Sequence, residues 1–138
     1  MSIISFFMKF QTQLYELSKG KMMNNIRGNP IFILYTVGRK TGKLRKTPLI
    51  YFEDNSKFII IASNSGSDHN PSWYYNIKSS ESAKINLKGN KINCSAQFAT
   101  EEEKIRIWPM VDEKASFYAD YRKKASRKIP IIILTPIA

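Results

Sequence analysis

Apolar and polar positions in the first part of the chain recur with the period of an amphipathic helix. The apolar positions, spaced three or four residues apart, are Ile3, Phe6, Phe7, Phe10, Leu14 and Leu17. We predict a helix over residues 3–23, ended or interrupted by Gly20 and the Asn24-Asn25 pair. Gly28-Asn29-Pro30 then breaks the chain before the first strand.

The pattern after residue 30 changes to short apolar, β-branched runs separated by turn residues, which is typical of strands. These runs predict strands at residues 31–37, 47–52, 58–62, 83–87, 92–98 and 129–134. The fourth and fifth alternate in polarity around Gly89-Asn90, which indicates an antiparallel hairpin with one wet face. The last run is almost wholly apolar and indicates a buried strand.

Helices are predicted between these strands. Asn70 suits a helix cap and Pro71 the first helical position. Thr100 and Glu103 form a capping box, and a further helical stretch runs from about Glu113 to Lys124. We therefore expect an α+β domain of about six mainly antiparallel strands with flanking helices. Curling of the sheet into a small barrel would hide its edge strands.

The bulk composition indicates one domain without repeats or linkers. Its 138 residues divide into an N-terminal amphipathic helical segment, 1–27, and a barrel, 28–138. The net charge of +11 favours an anionic partner: nucleic acid, an acidic membrane surface or a polyanionic small molecule. Cys94 is the sole cysteine, which excludes an internal disulfide and fits a cytoplasmic protein. Its place in an alternating strand predicts an inert, buried thiol.

The segment from Gly38 to Pro48 concentrates positive charge between two predicted strands. Its five cationic residues are Arg39, Lys40, Lys43, Arg45 and Lys46. A loop between strands is a fixed platform, and guanidinium and ammonium groups suit phosphate and carboxylate oxygens. We interpret it as a site for the anionic tail of a cofactor, with a solvated hairpin tip as the alternative.

Two further groups of residues are candidates for chemistry. In Ser63-Asn64-Ser65-Gly66 the backbone N–H groups are potential anion donors, and Trp73 offers a flat surface for an aromatic ring or, alternatively, a core side chain. Tyr118 and Tyr121 share a helix face, where they either cover a pocket or pack the helix onto the barrel. His69, the one histidine, has no cluster of metal-ligand residues near it in sequence, so no metal site is predicted.

These segments together resemble the deazaflavin-dependent nitroreductase family, a branch of the split β-barrel flavin and deazaflavin oxidoreductases. The resemblance covers roughly residues 28–136. Its motifs are Gly38-Arg39-Lys40-Thr41-Gly42, Arg45, Thr47-Pro48-Leu49, Ala62-Ser63-Asn64-Ser65-Gly66, Asn70-Pro71, Trp73-Tyr74, Asn76, Tyr118-Ala119-Asp120-Tyr121, Arg127 and Ile129-Pro130. It implies a split barrel that binds coenzyme F420.

The resemblance also implies roles for individual residues. Contacts to the phosphate and polyglutamate tail fall on Arg39, Lys40 and Arg45, with Thr47 and Pro48 beside the ring system. The loop facing the deazaflavin and substrate is Ser63, Asn64 and Ser65, and the helix behind it carries Trp73 and Asn76. Tyr118 and Tyr121 would roof the substrate pocket, whereas Ala115 replaces a third tyrosine of nitroimidazole-reducing members.

The expected function is hydride transfer between coenzyme F420 and an electrophilic small molecule, such as a quinone, an activated alkene or a nitroaromatic. Ser63, Tyr121 or water would supply the proton. The alternatives are an FMN-binding oxidoreductase, a non-catalytic cofactor carrier and a basic nucleic-acid-binding module. The last is disfavoured because the lysines are scattered and no nucleic-acid-binding signature appears.

The role of the N-terminal helix and the oligomeric state are left open by the sequence. The helix either packs on the barrel or makes a peripheral contact at the inner face of the membrane, since Lys9, Lys19 and Lys21 accompany its phenylalanines. The protein is expected to be a monomer or a homodimer.

Overall fold

A computed structural model describes residues 2–137. In that range the helices are α1 (Ile3–Leu17), α2 (Ser72–Ser80), α3 (Glu101–Lys114) and α4 (Phe117–Lys124), with a 3₁₀ turn at Asn64–Gly66. The strands are β1 (Asn25–Ile26), β2 (Asn29–Val37), β3 (Leu44–Ile50), β4 (Phe52–Asp54), β5 (Lys57–Ile61), β6 (Ser82–Leu87), β7 (Asn90–Phe98) and β8 (Ile131–Pro136).

The strands form one antiparallel sheet whose order explains why it curls. Strand order runs β2-β6-β7-β8-β5-β4, with β3 paired to the free side of β2. Strands β3 and β4 therefore lie at opposite ends of this order, yet only Tyr51 separates them along the chain. The two ends must come together at this residue, so the sheet bends into the expected barrel and leaves few open edges.

Two apolar clusters pack on opposite faces of the sheet. On β2, Ile31 and Ile33 point into the cluster that α1, α3 and α4 cover, whereas Phe32 and Leu34 point into the cluster that α2 covers. Strand β8 lies between β5 and β7 and contributes to both clusters. Its unbroken apolar sequence, predicted to be a buried strand, is a consequence of being covered on both faces.

Helix α1 is shorter than predicted and docks by an unexpected face. It ends at Leu17 rather than near residue 23, because Lys19 and Gly20 take left-handed backbone conformations. The side chains it buries are Gln11, Thr12 and Tyr15, and Tyr15 joins the core. The apolar face recognised in the sequence is solvent-exposed at most of its positions: Ile3, Phe6, Phe7, Phe10 and Leu17.

Three other boundaries differ from the sequence-based expectation. The predicted 47–52 strand begins earlier, at Leu44, and is broken at Tyr51; together with the short β1 this makes eight strands among the described residues instead of six. Asn70 does not cap α2, since its side-chain oxygen accepts a hydrogen bond from Arg127 and Pro71 occupies the cap position. The predicted 113–124 helix is two helices, because the buried Ala115 leaves the helical conformation, with φ −149° and ψ 80°, between α3 and α4.

The capping box and the buried cysteine are confirmed. The Thr100 hydroxyl accepts a hydrogen bond from the Glu103 N–H at 3.1 Å, and the Glu103 carboxylate accepts one from the Thr100 N–H at 2.9 Å. Cys94 is fully buried, and burial raises the pKa of its thiol to about 11. The thiolate needed for reactivity is therefore disfavoured at neutral pH.

Candidate functional site

A cleft of about 740 Å³ lies between α1 and the hairpin that joins β2 to β3. Its cationic lining residues come from both elements and are Lys9, Arg39, Lys40, Arg45 and Lys46. Among the lining residues that the structure describes, the one carboxylate is that of Glu16. A concave surface with this excess of positive charge favours an anionic ligand.

Arg39 is held in the cleft by α2. Asn76, which is 3% exposed, accepts two hydrogen bonds through its Oδ1 atom: one from the Arg39 backbone N–H at 3.1 Å and one from its guanidinium at 3.2 Å. The Asn76 amide donates in turn to the buried Thr36 hydroxyl at 3.2 Å. The Arg39 guanidinium also lies 5.1 Å from the centre of the Tyr75 ring. The hairpin tip is therefore already oriented without a ligand. A solvated hairpin tip, the alternative interpretation, would not need these contacts.

Glu16 connects α1 to the strands at the other side of the cleft. Its carboxylate accepts a hydrogen bond from the Tyr35 hydroxyl and forms an ion pair with Lys46 at 3.1 Å. The Asn86 amide donates to the same Tyr35 hydroxyl at 3.2 Å. Burial, and secondarily the neighbouring carboxylate, raise the pKa of Tyr35 to about 12, so the phenol remains a donor at neutral pH.

The loop that follows β5 has an unusual backbone and is tied down from a distant segment. Asn64, Ser65 and Gly66 all have positive φ. A Cβ on Gly66 would lie 3.2 Å from the Cα of Tyr121, so glycine permits this close approach of the loop to α4. The N–H groups of Gly66 and Ser67 bond back within the turn, so those two are not available to an anion.

Arg127 is the residue that holds this loop. Its guanidinium donates to the carbonyl oxygens of Ala62, Ser63, Ser67 and His69 at 3.0–3.1 Å and to the Asn70 side chain at 2.6 Å. Alongside it, the Ser126 N–H and hydroxyl donate to the Asp68 carboxylate and lower its pKa. Such multiple bonding fixes the backbone of a loop that would otherwise be mobile.

The two tyrosines of α4 lie beside that loop rather than in the lining of the cleft. Tyr118 is buried in the core, and its ring centre lies 5.7 Å from that of the half-buried Tyr121. Burial raises the pKa of Tyr118 above its usual range. Ala115 is also buried in the core, at the turn between α3 and α4.

The predicted site residues thus fall into two groups. The cleft is lined by Arg39, Lys40, Arg45, Thr47, Trp73 and Asn76. The second group, Ser63, Asn64, Ser65 and Tyr121, meets where the loop contacts α4. Pro48 is buried in β3 opposite Ile33, and Trp73 belongs to the core as well as to the cleft wall.

Two residues that hold the candidate site together were not predicted from the sequence. Arg127 was part of the quoted motif but had no assigned role, and nothing in its local sequence indicates that it reaches back about 60 residues. Glu16 was not considered, although it is the sole acidic residue before Glu53 in a strongly basic stretch. Its isolation among cations was the available signal.

The antiparallel barrel, with a cationic cleft and an arginine-clamped loop at its side, defines a split-barrel oxidoreductase. A sequence profile of the F420H(2)-dependent quinone reductase family matches residues 7–136. This chain belongs to that family. Its split-barrel fold and its reliance on F420H2 as reductant, both expected from the sequence resemblance, are thereby confirmed.

Individual relatives agree with this assignment. The F420H(2)-dependent quinone reductase Rv1261c of Mycobacterium tuberculosis is 30% identical over 132 residues, 93% of this chain and 89% of that protein. The solved F420-H2 dependent reductase FDR-A is 33% identical, with a TM-score of 0.69 over 76% of this chain and 93% of its own. A solved structure described as a domain-swapped dimer is 30% identical, with a TM-score of 0.72 over 96% and 99% of the two chains.

The cleft fits the chemistry of the coenzyme. F420 ends in a lactyl phosphate and an oligoglutamate tail, and the cleft presents guanidinium and ammonium groups. Within residues 2–137 no group of three or more histidine, cysteine, aspartate or glutamate side chains is arranged to hold a metal ion. Nor does that part of the chain contain a helix with the length and apolarity needed to cross a bilayer.

Proposed function

We propose that this F420-dependent oxidoreductase reduces a quinone, with activated alkenes and nitroaromatics as further candidate acceptors. The observation that supports the proposal is the cleft, which contains five cationic side chains. Asn76 fixes one of them, Arg39, in an orientation that suits the binding of an anionic coenzyme. The activity for which the family and its members are named supports a quinone as acceptor.

The residues divide the work between binding and positioning. Arg39, Lys40 and Arg45 hold the phosphate and the first part of the acidic tail. Thr47 borders the ring system, with Trp73 behind it, whereas Pro48 is buried in β3. When bound, reduced F420 supplies a hydride, and the protein's part is orientation and electrostatics.

Reduction of a quinone to a quinol also takes up a proton. The loop residues Ser63, Asn64 and Ser65, held by Arg127, face the ring in this proposal, with Tyr121 beside them. Ser63, Tyr121 or a water would donate the proton to the quinone oxygen. Tyr118 and Tyr121 would border the acceptor.

The test of this function combines binding with turnover. Purified protein is titrated with F420 and with FMN, and oxidation of F420H2 is then followed with a soluble quinone, an activated enone and a nitroaromatic. We expect F420 to bind more tightly than FMN and the quinone to be reduced fastest. Tighter FMN binding, or F420 binding without reduction of any acceptor, would overturn the proposal in favour of a flavin enzyme or a carrier.

The exposed face of α1 supports a membrane quinone as the physiological acceptor. Ile3, Phe6 and Leu17 are 87%, 65% and 83% exposed and lie on the face of α1 opposite its contacts with the barrel and cleft. With Lys9 and Lys19 nearby, this face suits the interface of an acidic membrane. The helix would then hold the cleft next to the lipid phase that contains the acceptor.

A second copy of the chain is the competing occupant of this face. A solved relative is described as a domain-swapped dimer, and exchange of a terminal helix is one route to such a dimer. The membrane is favoured because the apolar stripe is flanked by lysines, which would repel their equivalents in a two-fold contact.

A further inference from the structure

A second groove of about 630 Å³ opens beside the cleft. Its lining includes Tyr35 and Val37 of β2, Ala83 and Lys84 of β6, and Lys91 of β7. The groove and the cleft have three lining residues in common: Glu16, Leu44 and Lys46. The two cavities therefore meet at the edge of β3, immediately after the basic loop.

Strand register places three lysines of this groove in a group, here called the lysine row: Lys46, Lys84 and Lys91. Tyr35 pairs with Lys46 on one side and with Lys84 on the other. The ammonium groups of Lys46 and Lys91 lie 5.8 and 5.9 Å from the centre of the Tyr35 ring. Two positive charges thus lie near one aromatic ring and a third residue is its neighbour in the strand register, across four adjacent strands.

The charges of the lysine row are only partly balanced. Glu16 pairs with Lys46, and its other oxygen accepts the Tyr35 hydroxyl. No ion pair to Lys84 or Lys91 occurs within residues 2–137. Within that range the two exposed ammonium groups are therefore available to the carboxylates of a ligand.

We propose that the second groove receives the distal glutamates of the F420 tail, with Lys84 and Lys91 pairing with their carboxylates. The inference rests on the proposed function, since the coenzyme must first occupy the cleft. A tail that leaves Arg45 meets Lys46 at the shared edge and continues across β2 to β6. Strands lie about 4.8 Å apart, so crossing from β3 to β7 covers roughly 14 Å, the reach of about four extended residues.

The geometry assigns the groove a preference for coenzyme with a long tail. The phosphate and the first glutamate are within reach of the basic loop, whose contribution does not depend on tail length. Lys84 and Lys91 act only on glutamates that extend past Lys46. Their contribution should therefore grow with the number of glutamates and vanish when the tail is absent.

Fluorescence titrations with F420 species of defined tail length test this. They compare the wild type with the Lys84→Ala, Lys91→Ala double variant. The matched control is Lys57→Ala, Lys114→Ala, which removes the same charge at exposed positions outside both cavities. We expect the double variant to bind long-tailed coenzyme roughly two- to fivefold more weakly per lysine lost, as exposed ion pairs allow, and tail-free coenzyme unchanged.

The outcomes separate this inference from the proposed function. Three results would each overturn the inference and leave the proposed function intact. The double variant loses as much affinity for tail-free as for long-tailed coenzyme, the control variant loses as much affinity as the double variant, or the affinity of the wild type does not depend on tail length. Failure of every F420 form to bind would overturn both. Loss of binding to anionic vesicles without a change in tail-length dependence would assign the lysines to lipid instead. Melting temperatures check that both double variants fold.

Discussion

A single oxygen atom of Asn76 accepts hydrogen bonds from the backbone and from the side chain of Arg39. It links α2 to the tip of the basic hairpin, 37 residues away in sequence. Because Asn76 is buried and also bonded to Thr36, the position of the guanidinium is set by the barrel rather than by the loop.

Substitution Asn76→Ala tests this link. Without the shared acceptor, Arg39 loses its orientation, and we expect F420 binding to weaken by about 1–3 kcal/mol, the usual effect of losing hydrogen bonds to a charged group. Fluorescence titration measures the affinity. Lys78→Ala, an exposed change on the same helix, is the control and should leave the affinity close to that of the wild type.

The double substitution Arg39→Ala, Lys40→Ala removes two of the charges that we assign to the coenzyme tail. The expected loss is about 1.5–3 kcal/mol of binding free energy per charged hydrogen bond. Isothermal titration calorimetry at two salt concentrations measures it, and the salt dependence of binding should become shallower. An affinity equal to that of the wild type would show that the tail binds elsewhere.

Arg127→Lys keeps the charge but not the planar fork that reaches five acceptors. We expect a loss of about 1–3 kcal/mol in unfolding free energy and slower turnover, since the Ser63–Ser65 loop loses its anchor. Urea denaturation and F420H2 oxidation rates measure the two effects. Arg106→Lys, which affects one exposed ion pair with Asp54, should change neither.

Alkaline pH should destabilise the fold through its buried tyrosines. The pKa of Tyr35 is raised to about 12, and burial also raises those of Tyr15, Tyr51 and Tyr118. Between an unfolded pKa of about 10 and the folded values, the unfolded chain binds fewer protons, so the free energy of unfolding falls as pH rises. Below about pH 9 these groups should contribute no slope.

Urea denaturation from about pH 8 to about pH 12 measures this effect. In the Glu16→Gln variant the carboxylate that adds to the shift of Tyr35 is neutralised. For that residue the decline should still begin near the unfolded pKa of about 10 but end at a lower pH and be smaller in total, because its folded pKa moves back toward the ordinary value. A decline of identical shape in both proteins would contradict the assigned role of Glu16.

Vesicle flotation tests the apolar face of α1. The triple variant Phe6→Ser, Phe7→Ser, Phe10→Ser should lose binding to vesicles with anionic lipid, whereas Ile105→Ser, Ile137→Ser, equally apolar and exposed elsewhere, should float as the wild type does. Substitutions are preferable to truncation because Tyr15 of the same helix lies in the core. If light scattering shows a dimer that the triple variant abolishes, a second copy covers this face.

The parts of the structure that the sequence predicts well depend on local patterns. The β2–β3 hairpin, the capping box at Thr100 and the buried run of β8 each follow from residues adjacent in the chain. The helical period of α1 is equally clear in the sequence, but the face by which it docks is not. That face makes polar contacts, from Gln11 to β1 and from Glu16 to Lys46, and these depend on where the partners lie in the fold. Likewise, Arg127 binds the loop that follows β5, and no periodic pattern in the sequence connects these two segments.

The candidate site was predicted mainly because several motifs of the family occur in the expected order. The chemistry of the individual side chains contributed less. Local composition predicted that Arg39 and Lys40 bind an anion, yet the fixation of Arg39 by Asn76 is a tertiary contact. The break at Ala115 was missed because Glu113 to Lys124 has good helical composition throughout. The break coincides with the burial of Ala115 in the core, which is a tertiary feature.

Helix α1 supplies one wall of the cationic cleft and, on its opposite side, the exposed phenylalanines. If the coenzyme binds in the cleft as proposed, a surface that binds α1 only in its present position would tighten coenzyme binding, and bound coenzyme would strengthen attachment to that surface by the same factor. A partner that instead lifted the helix would break the Glu16–Lys46 pair and release the coenzyme.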